Sequence, residues 1–246
     1  INESVSMIFS KMDINCDLGE GRGNDAEIMA YINSCNIACG GHTGDKNTMI
    51  KTFQLAKKQS VKAGAHHSFE DVKNFGRKNL SVSKGVLKTQ LIDQIDALNQ
   101  LAKKENMKLH HVKAHGALYN MAAKSGEIAQ IIIEAVQFFD QNLYIYAPFD
   151  SELEKKAKIM GVPYMIEVFA DRNYDDDFNL LSRKEPKAVI ETTEEVKSRV
   201  EKMIKEGTLI SLHGIKRSIN FDTLCVHGDH PYALEIVREL FILKED

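Results

Sequence analysis

Short runs of strand-forming residues alternate with longer helix-like segments along the whole chain, and nearly every run ends in a polar loop. The runs cover residues 12–16, 36–39, 61–65, 109–112, 143–147, 163–168 and 223–226. Helix-like patterns span 25–33, 46–59, 83–106, 127–142, 151–160 and 231–243, with a further one at 194–205. Within the third of these, Leu91, Ile95, Leu98 and Leu101 fall on one helical face. Alternation of this kind builds βαβ units and a parallel sheet. The chain has 246 residues, so seven units take about 35 residues each, a comfortable size for that unit. A doubly wound sheet gathers its ligands at one switch point, whereas a barrel carries a functional loop after each strand. Polar clusters spread along the chain therefore predict a TIM-like α/β barrel of about seven strands. That single domain covers residues 12–246, residues 1–11 form an N-terminal extension or remnant, and 207–222 carries no assignment.

Composition narrows the function classes. Lys and Arg total 32 against 35 Asp and Glu, a net charge of −3 with both signs interspersed. A nucleic-acid binder would gather a basic excess on one face or tail. No apolar run approaches the ~18 residues of a membrane span, and the first residues lack the basic start and apolar core of a signal peptide. The reading is a cytoplasmic chain with neither nucleic-acid nor membrane partners. Cys16, Cys35, Cys39 and Cys225 fit reduced, structural thiols, because Cys35-x3-Cys39 with His42 lacks the usual zinc spacing.

The chemistry sits at the strand ends. In MDINCDLGEG, strand alternation places Asp13, Asn15 and Asp17 on one face. Three polar positions facing a buried interior are costly unless hydrogen-bonded or used by a site. The following Gly19-x-Gly21-x-Gly23 is not a nucleotide fingerprint, and no GxxxxGK[S/T] occurs anywhere in the chain. NIACGGHTGD supplies His42 and Asp45, GAHH supplies His66 and His67, and FGRK supplies Arg77. VKAHGALYN carries Lys113, His115, Tyr119 and Asn120, EVFADRNY carries Asp171 and Arg172, and CVHGD carries His227 and Asp229. Six of nine histidines fall just past predicted strand ends, in the loops that form the active face of such a barrel.

These six ordered motifs, spanning residues 12–229, resemble the LamB/YcsF family. The resemblance implies a (β/α)7-type barrel similar to that of sugar deacetylases. It also implies the A component of an ATP-dependent 5-oxoprolinase, opening the lactam of 5-oxoproline to glutamate together with subunits B and C. Two positions depart from the family pattern: His67 and Ala114 stand where the family has proline.

A lactam is a stabilised amide, so water attack needs an activated carbonyl, a base and cations for the anionic groups. Lys113, Arg172 and Arg77 are the expected cations. Asp17, His66 and His115 are the candidate bases, with His42 and Asp45 orienting them and Asp171 orienting Arg172 or another cation. Asn15, Glu20, Tyr119, Asn120, His227 and Asp229 complete the expected substrate-binding set. The cofactor that the resemblance implies is Mg-ATP, bound by or shared with the partner subunits. A metal-dependent deacetylase-like amidohydrolase is a second reading, with Asp17, His42 and His66 as a carboxylate–His–His set for a divalent metal. A non-catalytic binding subunit is the third.

Overall fold

The first strand, β1 (Asp13–Leu18), sets the pattern of the whole barrel. Its Ile14, Cys16 and Leu18 join the apolar cluster shared with the surrounding helices. Its Asp13, Asn15 and Asp17 turn inward and bond to side chains of other strands. The computed structural model describes residues 12–139 and 142–245, so the extension expected over 1–11 lies outside the described residues.

Six more strands complete the wall: β2 (Ser34–Ala38), β3 (Lys62–His67), β4 (His111–Ala114), β5 (Tyr144–Pro148), β6 (Tyr164–Phe169) and β9 (Thr223–Val226). All pair in parallel, and β9 lies between β6 and β1, closing the barrel. The helices are α1 (Asp25–Ile28), α2 (Lys46–Lys58), α3 (Lys84–Lys104), α4 (Gly116–Lys124), α5 (Gly126–Val136), α6 (Glu152–Ile159), α7 (Thr193–Glu206) and α8 (Ala233–Glu245). Several begin on side-chain caps, with Asp45, Ser125, Ser151 and Thr192 accepting the backbone N–H three residues on.

The unassigned stretch 207–222 contains an antiparallel hairpin of β7 (Thr208–Ile210) and β8 (Lys216–Ser218). Strands of three residues are too short to show a period. The other departure is α4, which the motif HGALYN disguises as a loop because its polar residues draw attention to chemistry. Cys16, Cys35, Cys39 and Cys225 are buried free thiols.

The barrel interior is polar where such barrels are ordinarily filled by branched apolar side chains. At its base Asp13 Oδ2 accepts from Ser34 Oγ at 2.6 Å and Thr223 Oγ1 at 2.8 Å. Tyr146 donates to Ser34 at 3.0 Å and stacks on His111 with ring centroids 3.9 Å apart. His111 Nε2 donates to Asn36 Oδ1 at 2.7 Å, and Asn36 Nδ2 passes the chain on to Asn15 and Asp17, each at 2.8 Å. These buried polar groups are tolerated because each donates to or accepts from a neighbour.

Two predictions test this interior. Gly64 is the register partner of His111 on the adjacent strand, and a Cβ there would overlap the His111 ring. Gly64→Ala should cost about 2–3 kcal/mol through overpacking, read as a lower urea midpoint at unchanged slope. Burial also holds the His111 imidazole well below its ordinary value. Below about pH 6.5 the unfolded chain takes up a proton that the folded chain refuses, so stability falls with pH by about 1.4 kcal/mol per unit for this group. His111→Gln should therefore lose about 2 kcal/mol less than the unsubstituted chain between pH 7.5 and pH 5, by urea unfolding.

Candidate active site

Above the His111 layer, one lysine sits between two carboxylates. Lys113 Nζ, on β4, lies 3.0 Å from Asp17 Oδ1 and 2.9 Å from Glu167 Oε1, and Cys225 Sγ is 3.0 Å away. Asn15 Nδ2 donates to the same Glu167 oxygen at 2.8 Å. Burial alone would lower the Lys113 ammonium, but Asp17, Cys225 and Glu167 outweigh it and hold the group well above its ordinary range. Burial would likewise raise Asp17, and His66 and Lys113 overcome it, keeping the carboxylate ionised well below the usual range. The expectation of a free cation at 113 is thus corrected. A buried ammonium must be paired, and its charge is spent on Asp17 and Glu167.

Beside this triad stand three histidines. His66, at the end of β3, lies 3.4 Å from Asp17 Oδ2, and its Nε2 is 2.9 Å from His115 Nδ1. His42 stacks on His115 with centroids 3.7 Å apart and planes within 4°. Its Nε2 lies 3.1 Å from Glu20 Oε1. Burial pushes both the His42 and His115 imidazoles below their ordinary value. The loop turn that delivers His115 depends on Gly116, at φ +56°, where a Cβ would strike the Gly76 backbone. Glu20, His42, His66 and His115 each offer one ligand atom, all within 4.8 Å of one another. This cluster differs from the carboxylate–His–His set expected from sequence, in which Asp17 stood in place of Glu20 and His115. Asp17 is drawn instead to Lys113 and Asn36.

A cavity of about 710 Å³ opens from this floor. Asp17, His66, Lys113, His115, Glu167 and Tyr119 reach its wall, and Asn120, Arg77, Arg172 and His227 line it further out. Tyr119 Oη and Glu167 Oε2 are buried and make no hydrogen bond of ordinary geometry among the described residues. Burial, followed by the Glu167 charge, raises the Tyr119 phenol well above its ordinary value, so it remains a donor.

A strap of chain over 172–190 forms one side of the mouth. Arg172 Nε donates to the Ala188 carbonyl at 3.1 Å, and its Nη2 donates to the Leu181 carbonyl. Asp171 accepts from the His227 backbone N–H at 3.1 Å and from its ring at 3.0 Å. Asp171 therefore orients His227, not Arg172, because the guanidinium is taken by backbone carbonyls. Asp229 gathers the outer arginines, accepting from Arg77 at 2.6 Å and bidentately from Arg183 at 3.0 Å.

Asp45 stands apart from the cavity: it is exposed and caps α2 through Thr48. Its N-cap position, three residues before Thr48, is the signal that favours this role over catalysis. Glu167, Arg183 and Phe75 belong to the site but not to the expected site residues, although Glu167 and Phe75 fall within the EVFADRNY and FGRK motifs. Glu167 had a usable signal, a carboxylate on the interior face of a buried strand, the same argument that selects Asp17. Arg183 lies in a loop with no period to mark it.

The model of the LamB/YcsF family matches residues 12–245. A Staphylococcus aureus (strain JH9) protein bearing the name of the 5-oxoprolinase A component is 43% identical over 242 residues, covering 96% of this chain and 97% of that one. A crystal structure of "Lactam Utilization Protein" from Thermus thermophilus superposes with TM-score 0.89 at 35% identity, covering 96% of each chain. A putative cellobiose-phosphate cleavage protein from Enterococcus faecalis V583 shares the fold alone, with TM-score 0.54 at 11% identity over 95% of this chain and 92% of that one.

The buried triad makes a direct prediction. Lys113→Met leaves Asp17 and Glu167 without a countercharge and should cost about 3–5 kcal/mol. Adding Glu167→Gln removes one of the two orphaned charges, so the double variant should be more stable than Lys113→Met alone. Urea unfolding of both variants reads the difference.

Proposed function

The chain belongs to the LamB/YcsF family, and from that premise we propose that it is the A component of an ATP-dependent 5-oxoprolinase. In this reading it opens 5-oxoproline to glutamate in the cytoplasm, acting with subunits B and C. The observation that carries the proposal is the cavity floor, where the ionised Asp17 carboxylate, the buried Tyr119 phenol and the neighbouring Glu167 carboxylate meet at one opening. The near full-length match to the Staphylococcus aureus protein supports it.

The substrate is a small ring bearing a lactam N–H, a lactam carbonyl and a carboxylate. Glu167 Oε2 is suited to accept the ring N–H, and Tyr119 Oη to donate to the carbonyl oxygen. The arginines at the mouth, Arg77 and Arg183, suit the substrate carboxylate or a phosphate. Asp17 is the proton acceptor for the attacking water, since its neighbours keep it ionised. Transfer of the ATP γ-phosphoryl group to the lactam oxygen makes the ring carbon electrophilic. Water adds there, the C–N bond breaks as the nitrogen takes up a proton, and a second water releases phosphate. The sequence holds no P-loop, which fits Mg-ATP being bound by or shared with the partner subunits.

The test is an ATP-dependent glutamate-release assay on the chain alone and with candidate subunits B and C. Turnover should require all three. Asp17→Asn in the assembled enzyme should lower kcat by ~10²-fold or more with a smaller change in KM. Robust ATP-dependent glutamate formation by the chain alone would overturn the division of labour, and no turnover by the complex would overturn the assignment.

A further inference from the structure

Three imidazoles and a carboxylate converge, and with all three rings neutral no proton lies between them. Each ring's tautomer is fixed from its far side. His66 Nδ1 lies 3.0 Å from the Lys113 carbonyl, and His115 Nε2 lies 3.0 Å from the Phe75 carbonyl. Carbonyls only accept, so both nitrogens carry the hydrogen. Ser68 Oγ gives its own proton to the Phe69 carbonyl at 2.8 Å, which leaves it an acceptor for His42 Nδ1 at 3.2 Å. Every neutral ring has then spent its single N–H pointing away from the cluster.

What remains are lone pairs aimed at lone pairs. His66 Nε2 faces His115 Nδ1 at 2.9 Å, and His42 Nε2 faces Glu20 Oε1 at 3.1 Å. Glu20 Oε1 is also 3.7 Å from His115 Nδ1. Acceptors held this close repel unless a proton or a cation lies between them, and one cation serves all four groups at once. Two ligands each ~2.1 Å from one ion stand roughly 3.0–3.4 Å apart at right or tetrahedral angles, close to the spacings found. Histidines that bind a metal ordinarily give their other N–H to a carbonyl or similar acceptor, as all three do here.

We propose that Glu20, His42, His66 and His115 form a binding site for one divalent transition-metal ion of the zinc class. Imidazole nitrogens with one carboxylate suit that class, whereas Mg2+ and Ca2+ take oxygen ligands. His66 and His115 reach the cavity wall, so the ion has an open side there, with Asp17 Oδ2 3.4 Å from His66 Nε2. The ion there polarises a carbonyl or acidifies a water whose proton Asp17 accepts. Loading splays the His42 and His115 stack, because a ring's lone pair lies in the ring plane. The site opens on the cavity of the lactam reading, but its occupancy needs neither substrate nor partner subunits and is tested without them.

The test is metal binding by the purified full chain. Protein stripped with dipicolinate and dialysed against equimolar zinc should retain about one ion per chain, measured by mass spectrometry of the metal. Cobalt(II) should give visible d–d bands, and zinc should raise Tm by roughly 5 °C or more. His42→Asn/His115→Asn should lose at least ~100-fold in zinc affinity, whereas His227→Gln should keep the stoichiometry. Should the double variant fail to fold, the cobalt spectrum and Tm shift of the stripped, unsubstituted chain decide. The proposal is overturned if that chain shows no bands and no shift, or binds zinc no more tightly than the double variant. Because no turnover is measured, failure here leaves the oxoprolinase reading intact, and the reverse holds too.

Discussion

The ammonium of Lys113, held between Asp17 and Glu167, is the interaction on which the site depends. One positive charge in the barrel fixes two carboxylates from strands on either side of β9. Those carboxylates in turn position Asn15, Asn36 and His66. Such a triad contributes little net stability, since desolvation consumes most of the Coulomb attraction. What it supplies is order: removing the lysine leaves two buried carboxylates without a countercharge, so the floor has one arrangement and no cheap alternative.

The apolar burden of the fold falls on the outside of the strands. Ile14, Cys16 and Leu18 of β1, with Val112 of β4 and Leu224 of β9, pack beneath the helices. The interior is thereby released from being the core and can carry polar side chains from end to end. Most of its cost is met through hydrogen bonds between neighbouring strands, with Tyr119 Oη and Glu167 Oε2 left open toward the cavity. Acid sensitivity follows, since a buried neutral imidazole such as His111 is stable only while unprotonated.

The barrel was legible because its seven strands recur at near-even spacing and each ends in a polar loop; strand positions read from sequence overlap all seven in the wall. The site was legible where a polar residue stood on the inward face of an apolar strand, as with Asp17. It was less so where identity and neighbourhood diverge. Asp45 looked like a catalytic partner of His42 and is a helix cap, because local capping geometry acts over three residues and wins. Lys113 looked like a free cation, and only the closure that brings Asp17 and Glu167 around it reveals its commitment. Arg183 carries no periodic mark, and its pairing with Asp229 crosses 46 residues of chain.

The strap over 172–190 is held by Arg172 through the carbonyls of Leu181 and Ala188. A carbonyl is the same whatever side chain follows it, so this grip is blind to the identity of the residues it holds. The span between can therefore drift in sequence while keeping its course over the cavity mouth. The rim can change its side chains without disturbing the polar floor below.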